Sequence, residues 1–403
     1  MSAPNLPDPS RRGLRRVVPA TTPAQVLVGA MGLMVVVGVL WILWGSPEPG
    51  QGAGLGGLAV LIAAVITFYG GERGRRQDSE ASNRSHTLES TRDLRARFTV
   101  SAAQLTDRAA TVRLAGVYSL ASLADDWHDA GFDTERQACI NLLCAYLRND
   151  TTNTDMLEAQ LVDTAWLSNA TILRQEEERV RTAIVDTIRH HLRRIPEVLG
   201  EPSWVGADFD LSGAHLDGVD FSNSNFDTRA RFVTADLKGA DFSGCQLSCA
   251  NFNWAYMENA NLFNAELNGA NLIGTKLNNA TLMGAQFYQA TLNKAQLQNA
   301  NCGTTGFGCA HLIDADLRGT ELDYAVLTSA RMAGANLRGA SLTMADFRGA
   351  DLRNGTDLSN ARGFSSSYTD QIEFDSTTTW PDGRHAPPES VIGRETTPGS
   401  SQQ

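Results

Sequence analysis

The stretch ANLFNAELNGANLIGTKLNNATLMGAQF, residues 260–287, repeats every five positions. A large apolar residue recurs at this interval, and Ala or Thr stands two places before each one. The register is unbroken from Phe232 to Leu352, a run of 25 quintets. The central residue is Leu in 16 of them and Phe in six, and the residue two before it is Ala in 21. The four exceptions are also small: Cys245, Thr275, Thr305 and Thr320.

Neither regular secondary structure buries a residue at period five. An α-helix turns by about 100° per residue, so successive leucines would point to every side. A flat strand alternates sides, so every second leucine would face water. The chain must therefore bend once per quintet, and four bends close a square coil of about 20 residues that stacks at about 4.8 Å. No charge occupies the central or the small position, because burying one would cost several kcal/mol.

Two departures from the register are visible. Four earlier quintets, centred on Leu211, Leu216, Phe221 and Phe226, precede a one-residue slip at residues 227–231, where we expect a bulge. A glycine-rich patch at residues 303–308 predicts a slightly distorted face.

The quintets ADLKG, ANLIG, ADFRG and ADLRN match the signature A(D/N)LXX. On these motifs the chain resembles the pentapeptide-repeat family over residues 207–361, and its N-terminal part resembles membrane-anchored bacterial members. The resemblance implies a right-handed quadrilateral β-helix of about seven coils, roughly 35 Å long at the strand spacing. It also implies a closing segment over residues 362–386. The composition of residues 387–403, rich in Pro, Ser, Thr and Gly, predicts a disordered tail.

Two uncharged apolar runs lie near the N-terminus, over residues 24–44 and 53–70. The first is long enough to cross a hydrocarbon core of about 30 Å, and the second is near the lower limit. With the short linker between them they predict a transmembrane helical hairpin over residues 24–72, and a single span is the main alternative. The first run is too long for a cleaved signal peptide, and a second follows at once.

The basic residues predict the orientation of this hairpin. Arginines precede the first run in the N-terminal tail, residues 1–23, and follow the second at positions 73, 75 and 76, whereas the linker has none. The positive-inside rule places both termini and the repeats in the cytoplasm, as parts of a multi-pass protein of the cell membrane. Six cysteines without a CxxC pair agree with a reducing compartment.

The middle of the chain is predicted to be helical. Residues 73–97 are polar and predict a linker, in which residues 77–97 form an exposed helix or a flexible stalk, and residues 98–200 predict a small all-α domain. Apolar residues recur there at helical spacing in three places. These stripes are Leu114, Val117, Tyr118 and Ala121 with Leu120, Leu123, Ala124 and Trp127; Cys139, Leu142, Leu143 and Tyr146; and Val180, Ile184, Ile188 and Leu192.

No motif predicts an enzyme. The sequence lacks a P-loop, HExxH and GxSxG, and its seven histidines are scattered, His215 and His311 at outward repeat positions. The adjacent His190 and His191 would point about 100° apart on a helix and cannot share one metal ion. Repeated aspartates imitate paired carboxylates, but a short polar side chain suits a turn: Asp236, Asp241, Asp346 and Asp351. We predict no catalytic, cofactor or metal site.

The sequence therefore favours a non-enzymatic, membrane-anchored scaffold that presents its β-helix to an unknown protein partner. The family resemblance implies one alternative, because its best-known members imitate duplex DNA and bind DNA gyrase. Residues 207–361 hold 16 Asp and Glu against 10 Lys and Arg, so basic residues interrupt the acidic rows that such a mimic needs. The acidic chain, with net charge -11, also makes nucleic-acid binding unlikely. Oligomeric state and binding face stay open.

Overall fold

The computed structural model describes residues 88–149, 164–193, 204–226 and 230–384, with residues 387–388, 391 and 393–396. The predicted tail 1–23 and both apolar runs of the predicted hairpin 24–72 lie outside these residues. No helix within the described ranges combines the length and the apolar character needed to cross a bilayer.

The described residues before the repeats are helical. The helices are α1 (88–105), α2 (Ala110–Asp129), α3 (Asp133–Arg148) and α4 (Thr164–Leu192). They bury the predicted stripes, and Val117, Leu143 and Ile184 are fully inaccessible. Tyr118 departs from the prediction and is exposed, because it lies beside the buried face and not on it.

Helix α1 extends back into the predicted linker, as the helical alternative for residues 77–97 allows. The predicted polar linker, residues 73–97, overlaps it, since residues 88–97 are helical. Leu94 is buried and Phe98 packs against the same core, four residues further along the helix. One apolar stripe therefore continues into a segment whose other side is charged, and composition alone masked it.

The repeats form the square coil that period five predicts. Bridges between successive coils are parallel and join residues 20 apart, as in Asn251 to Asn271 to Thr291. The central residues and the small residues two before them are buried throughout, for example Leu282 and Ala280. The glycine-rich patch keeps this register, with Gly306 bridged to Gln286 and Val326, so the expected distortion is wrong. Thr305 fills the small interior position there.

Each quintet turns at its last outward residue. This residue has positive φ, from Thr234 to Asn360, and Gly or Asn occupies many of these positions because the left-handed region penalises other side chains. The residue before the centre supports the bend, since its carboxylate or amide oxygen accepts the backbone N–H two residues on. Asp241 Oδ1 accepts from Ser243 at 2.8 Å and Asp351 Oδ1 from Arg353 at 3.1 Å. The prediction that these aspartates serve turns is confirmed.

The register slip lengthens one coil. Asp210 is bridged to Arg231, 21 residues later, whereas Arg231 is bridged to Asn251 after 20. The expected bulge at residues 227–231 falls largely on residues 227–229, which the structure does not describe.

Helices α3 and α4 cover the first edge of the β-helix. An uncovered coil would leave a row of unpaired backbone carbonyls. Four of these accept side-chain N–H groups, at 2.7, 3.2, 3.0 and 3.4 Å: Asp208 from Gln137, Asp210 from Arg148, His215 from Arg181 and Ser222 from Arg189. Trp204 is fully buried at the same junction. The helical domain therefore acts as the cap of the solenoid.

The other edge is closed by sequence without repeats. The predicted closing segment, residues 362–386, forms a further and longer coil, in which Glu373 is bridged to Asp351 after 22 residues. Trp380 is fully buried there against Phe364 and Phe374.

Strand β1 (Ile372–Phe374) then pairs in parallel with β2 (Gly393–Glu395). The prediction of a disordered tail over residues 387–403 is therefore wrong for residues 393–395. An open parallel edge offers backbone partners to any nearby segment, whatever its side chains, so a polar composition does not prevent pairing.

Candidate protein-interaction surface

The square coil gives the β-helix four outward faces, which we number in chain order from the quintets centred on Phe232, Leu237, Phe242 and Leu247. Each face repeats every 20 residues. Two columns of side chains point outward on a face, one residue before and one after the buried centre. The corner residue with positive φ follows. A surface residue is thus placed by its number modulo 20.

Several outward acidic residues belong to local ion pairs. Arg348 contacts Asp346 at 2.6 Å, and this contact is the largest influence holding the pKa of Asp346 below its usual value. Lys238 and Arg318 bind the carboxylates two residues earlier in the same way, at 3.1 and 2.7 Å. These carboxylates are therefore neutralised in place, and no pair of them is isolated for acid–base chemistry.

The two adjacent histidines have separate environments. His191 Nδ1 lies 2.7 Å from the carbonyl oxygen of Thr187, and its Nε2 lies 3.1 Å from Asp125 Oδ2. The ring stacks on Trp204 with centroids 4.3 Å apart, whereas His190 contacts it edge-on. Both neighbours of the ring nitrogens are acceptors, so only the imidazolium, with two N–H groups, satisfies both. Burial alone would lower the pKa of His191, but its hydrogen bonds outweigh burial and raise it.

Other candidate groups are dispersed. His215 and His311 lie on different faces, and no group of His, Cys, Asp or Glu within the described ranges could hold a metal ion. Burial raises the pKa of the Cys139 and Cys245 thiols to about 12, which keeps them protonated and unreactive. Cys249 and Cys309 lie nearer the surface.

Exposed apolar side chains are concentrated on one side of the β-helix. Among its described residues nine large apolar side chains are exposed, and seven of these lie on the third and fourth faces or on the corner between them. We call these seven the apolar strip: Phe263, Met283, Tyr288, Tyr324, Val326, Met344 and Tyr368. A concentration of exposed apolar side chains on one side of a protein is typical of interaction sites.

The fourth face is uncharged through its middle. Its outward residues over three and a half coils include no Asp, Glu, His, Lys or Arg: they are Asn268, Gln286, Tyr288, Gly306, Gly308, Val326 and Thr328. Charge returns only beyond both ends, with Glu266 on one side and the Asp346–Arg348 pair on the other. Loss of charge at the centre with polar groups at the rim is the composition of a protein interface.

Small residues form the floor of the strip. Gly306 and Gly308 present no side chain, and a Cβ on Gly308 would lie 3.4 Å from the ring of Tyr288. In the next coil, Val326 and Thr328 lie on the opposite side of the two glycines from Tyr288. The Gln286 and Tyr288 side chains lie against these glycines, so a partner meets these two side chains on one side of the glycines and Val326 and Thr328 on the other, about 9.6 Å apart at the strand spacing.

Two strip residues occupy strained backbone. The corner column of the third face reads Asn, Gly, Asn and Gly at 223, 244, 264 and 284, and then changes to bulky side chains. Tyr324 and Met344 have φ of 60° and 57°, and Tyr324 is 60% exposed. A non-glycine residue in this conformation costs about 1–2 kcal/mol. Every corner of the coil has this conformation, at Thr234 and Lys294 as much as at Tyr324, so the cost belongs to the fold and not to the strip.

The strip is absent from the sequence prediction, which treated every face as mixed. The signal was available: written in rows of 20, the sequence places Gln286, Gly306, Val326 and Asp346 in one column and Tyr288, Gly308, Thr328 and Arg348 in another. A smaller exposed group, Trp254 and Tyr256, lies at the first corner and on the second face, where Lys238 and Lys276 flank the Tyr256 ring.

Comparison with known proteins agrees with this geometry. The family of pentapeptide repeats matches in eight copies, over residues 228–262, 265–301, 315–354 and 326–362. HetL, a pentapeptide repeat protein involved in heterocyst differentiation regulation in Nostoc sp. strain PCC 7120, is 28% identical over 44% of this chain and 84% of its own, with a TM-score of 0.29. Rfr23 from Cyanothece 51142 is 31% identical over 26% and 63%, with a TM-score of 0.19.

QnrB1, a plasmid-mediated fluoroquinolone resistance protein, is 22% identical over 41% of this chain and 88% of its own, with a TM-score of 0.30. No curated protein matches the chain. The repeat signature, the eight matched copies and the coil of 20 residues agree, and the region from residue 228 to residue 362 consists of pentapeptide repeats.

Proposed function

We propose that this chain is a non-enzymatic, membrane-anchored scaffold whose β-helix binds a protein partner through the apolar strip at the cytoplasmic face. The observation that carries the proposal is the concentration of exposed apolar side chains on the third and fourth faces of an acidic protein, beside a stretch of the fourth face that carries no charge. Such a surface gains free energy by leaving water, about 25 cal/mol per Å² of apolar area.

The rigidity of the β-helix favours a docking role. Each coil is bound to the next by parallel bridges on every face, so the strip residues are held at fixed spacing before a partner arrives. A surface that is already ordered loses little conformational entropy on binding.

The membrane part of the proposal rests on the two apolar runs, residues 24–44 and 53–70, and on the arginines that flank them. Cysteine-accessibility labelling tests it. In a background with the native cysteines replaced, Cys at position 50 should react only from outside the cell, and Cys at position 80 only after permeabilisation. Equal reactivity of both positions in intact cells would contradict the two-span topology.

Proximity labelling of the full-length chain in its own cells tests the interaction. The variant Val326→Asp introduces a charge on the strip, and Asp346 in the same column shows that the fold accepts Asp there. Trp254→Asp is the matched control, since Trp254 is 55% exposed on another side and Asp314 shares its corner column. Proteins labelled by wild type and control but reduced at least tenfold with Val326→Asp support the proposal. An unchanged set opposes it.

The alternative is a DNA mimic that binds a topoisomerase. The excess of acidic residues in the repeats favours it, whereas Lys238, Arg318, Arg348 and Arg353 neutralise neighbouring aspartates and break the negative rows. Supercoiling by DNA gyrase in the presence of micromolar full-length chain decides between the two. Inhibition or protection of gyrase would favour mimicry, and unchanged supercoiling removes it.

A further inference from the structure

We propose that the occupant of the apolar strip is a second copy of this chain, packed fourth face against fourth face about a two-fold axis parallel to the β-helix axis. The inference rests on the proposed function, because it identifies the partner that the strip binds. Its support comes from the spacing, the charges and the close approach that the fourth face offers.

The repeat distance along the fourth face favours a second copy of the chain as the partner. The outward ladder on the fourth face repeats once per coil, at about 4.8 Å, along Gln286, Gly306, Val326 and Asp346. A two-fold axis parallel to the β-helix leaves the height of each coil unchanged. Two copies therefore meet coil against coil with the same period, and a fit at one level is repeated at the next. A partner without this period would match at one level only.

The two-fold axis also brings complementary residues of the two copies opposite one another. It places the column before the buried centres opposite the column after them in the other copy. The facing pairs, each occurring twice, are Glu266 with Asn268, Gln286 with Tyr288, Gly306 with Gly308, Val326 with Thr328, and Asp346 with Arg348. No pair opposes like charges, and Arg348 reaches the carboxylate of the other copy as well as its own. Self-complementary charges are the requirement of an isologous interface.

The small residues of the fourth face also bear on how closely two copies can pack. Stacked β-sheets pack about 10 Å apart when side chains interdigitate. The glycine pair at the centre, Gly306 and Gly308, adds no side chain, and Gln286 and Tyr288 of the same copy lie against it, so the second copy meets those two side chains on one side and Val326 on the other. Tyr324, at the corner, extends over the edge of the neighbouring copy and makes contact beyond the flat face.

The charge of the remaining surface disfavours other pairings. The chain has a net charge of -11, so copies repel one another in general. The second face alternates charges of both signs through Asp236, Lys238, Glu258 and Lys276, whereas the middle of the fourth face has none. Two copies meet there without desolvating a charge.

The area of the contact sets the expected affinity of the dimer. Five coils by one face make a patch of about 24 by 16 Å, roughly 400 Å² per copy, about half of a standard interface. We therefore expect a dissociable dimer, and its equilibrium must be followed over a wide concentration range.

Sedimentation equilibrium of the full-length chain in density-matched detergent, from about 1 to 200 μM, provides the test. Wild type should show a monomer–dimer equilibrium. Val326→Asp should raise the dissociation constant at least tenfold, because the isologous interface receives the charge twice. Trp254→Asp should leave it within twofold. Arg348→Glu should also weaken the dimer, and the swapped variant Asp346→Arg with Arg348→Asp should restore it, since the swap preserves the facing pair.

A wild-type chain that remains monomeric at 200 μM overturns the inference, as does a dimer that Val326→Asp leaves intact. A monomer whose proximity-labelled proteins still depend on Val326 would leave the proposed function standing and refute only the dimer. A monomer with no such dependence would refute both.

Discussion

The four quintets without Ala at the small position share one cause, and Thr305 gives the sharpest test of it. Its side chain is fully buried, and its hydroxyl donates to the carbonyl oxygen of Leu282 at 2.8 Å, 23 residues back. Thr275 and Thr320 repeat this bond to residues 252 and 297, and Cys245 Sγ contacts the carbonyl of Phe221 at 2.9 Å. Each side chain thus binds the preceding coil from inside.

We predict that Thr305→Val lowers the free energy of unfolding by about 1–2 kcal/mol. The lost hydrogen bond contributes about 0.5–1.5 kcal/mol, and the carbonyl keeps a second donor, Ala285 N at 2.9 Å. The new methyl group must also move away from an oxygen that accepted a hydrogen at contact distance. The sign is diagnostic, because a buried hydroxyl without a partner would make the same substitution stabilising.

Hydrogen exchange followed by mass spectrometry on the full-length chain measures this locally, over peptides that cover residues 280–310. Thr281→Val is the matched control, because Thr281 points outward one coil earlier and should change stability by less than about 0.5 kcal/mol. Protection in Thr305→Val equal to or greater than that of wild type would refute the reasoning. So would an equal loss of protection in the control.

Three further predictions concern the ends and turns of the fold. Because the pKa of His191 is raised above 6.5, its stabilising contact is complete below that value and is lost as pH rises through the folded-state pKa; thermal melting between pH 5.5 and 8.5 should show a fall that His191→Gln lacks. Gly284→Ala should cost more than Gly339→Ala, since both have positive φ but only the first Cβ would meet Asn264 Oδ1, at 2.1 Å; urea titrations should give about 1 kcal/mol for the strain alone at Gly339. Trp380→Ala should destabilise the last coil by about 3–5 kcal/mol, seen as faster exchange confined to residues 357–384, and uniform exchange would contradict the capping role.

The sequence was most informative where one physical constraint repeats. Residues such as Leu262 and Ala260 are inside because only one large and one small side chain fit each face of a narrow coil, and 25 quintets state that constraint independently. The corner glycines and asparagines carried a second signal, positive φ, that the sequence analysis did not use. The ends of the solenoid gave no periodic signal, so the last coil and the β2 strand were placed as a closing segment and a disordered tail.

The candidate interface could be recognised only from the tertiary structure. Tyr288, Val326 and Tyr368 are 38 and 42 residues apart in the chain, and nothing local relates them. The coil length of 20 residues brings them to one face, together with the glycines between them and the Asp346–Arg348 pair. The coil length is 20 residues because four quintets close one square coil, and extra residues lengthen some coils.

By itself, the sequence determined that a side chain returns to the interior at every fifth residue, and with it the coil, its core and the absence of charge from the interior positions of the 25 quintets. The tertiary structure alone decided which outward residues become neighbours, how helices α3 and α4 satisfy the first open edge, and that β2 pairs at the last. The physical reason is the range of the interactions. Burial and turn strain act within a quintet, whereas surface patches and edge pairing are made by residues 20 or more apart.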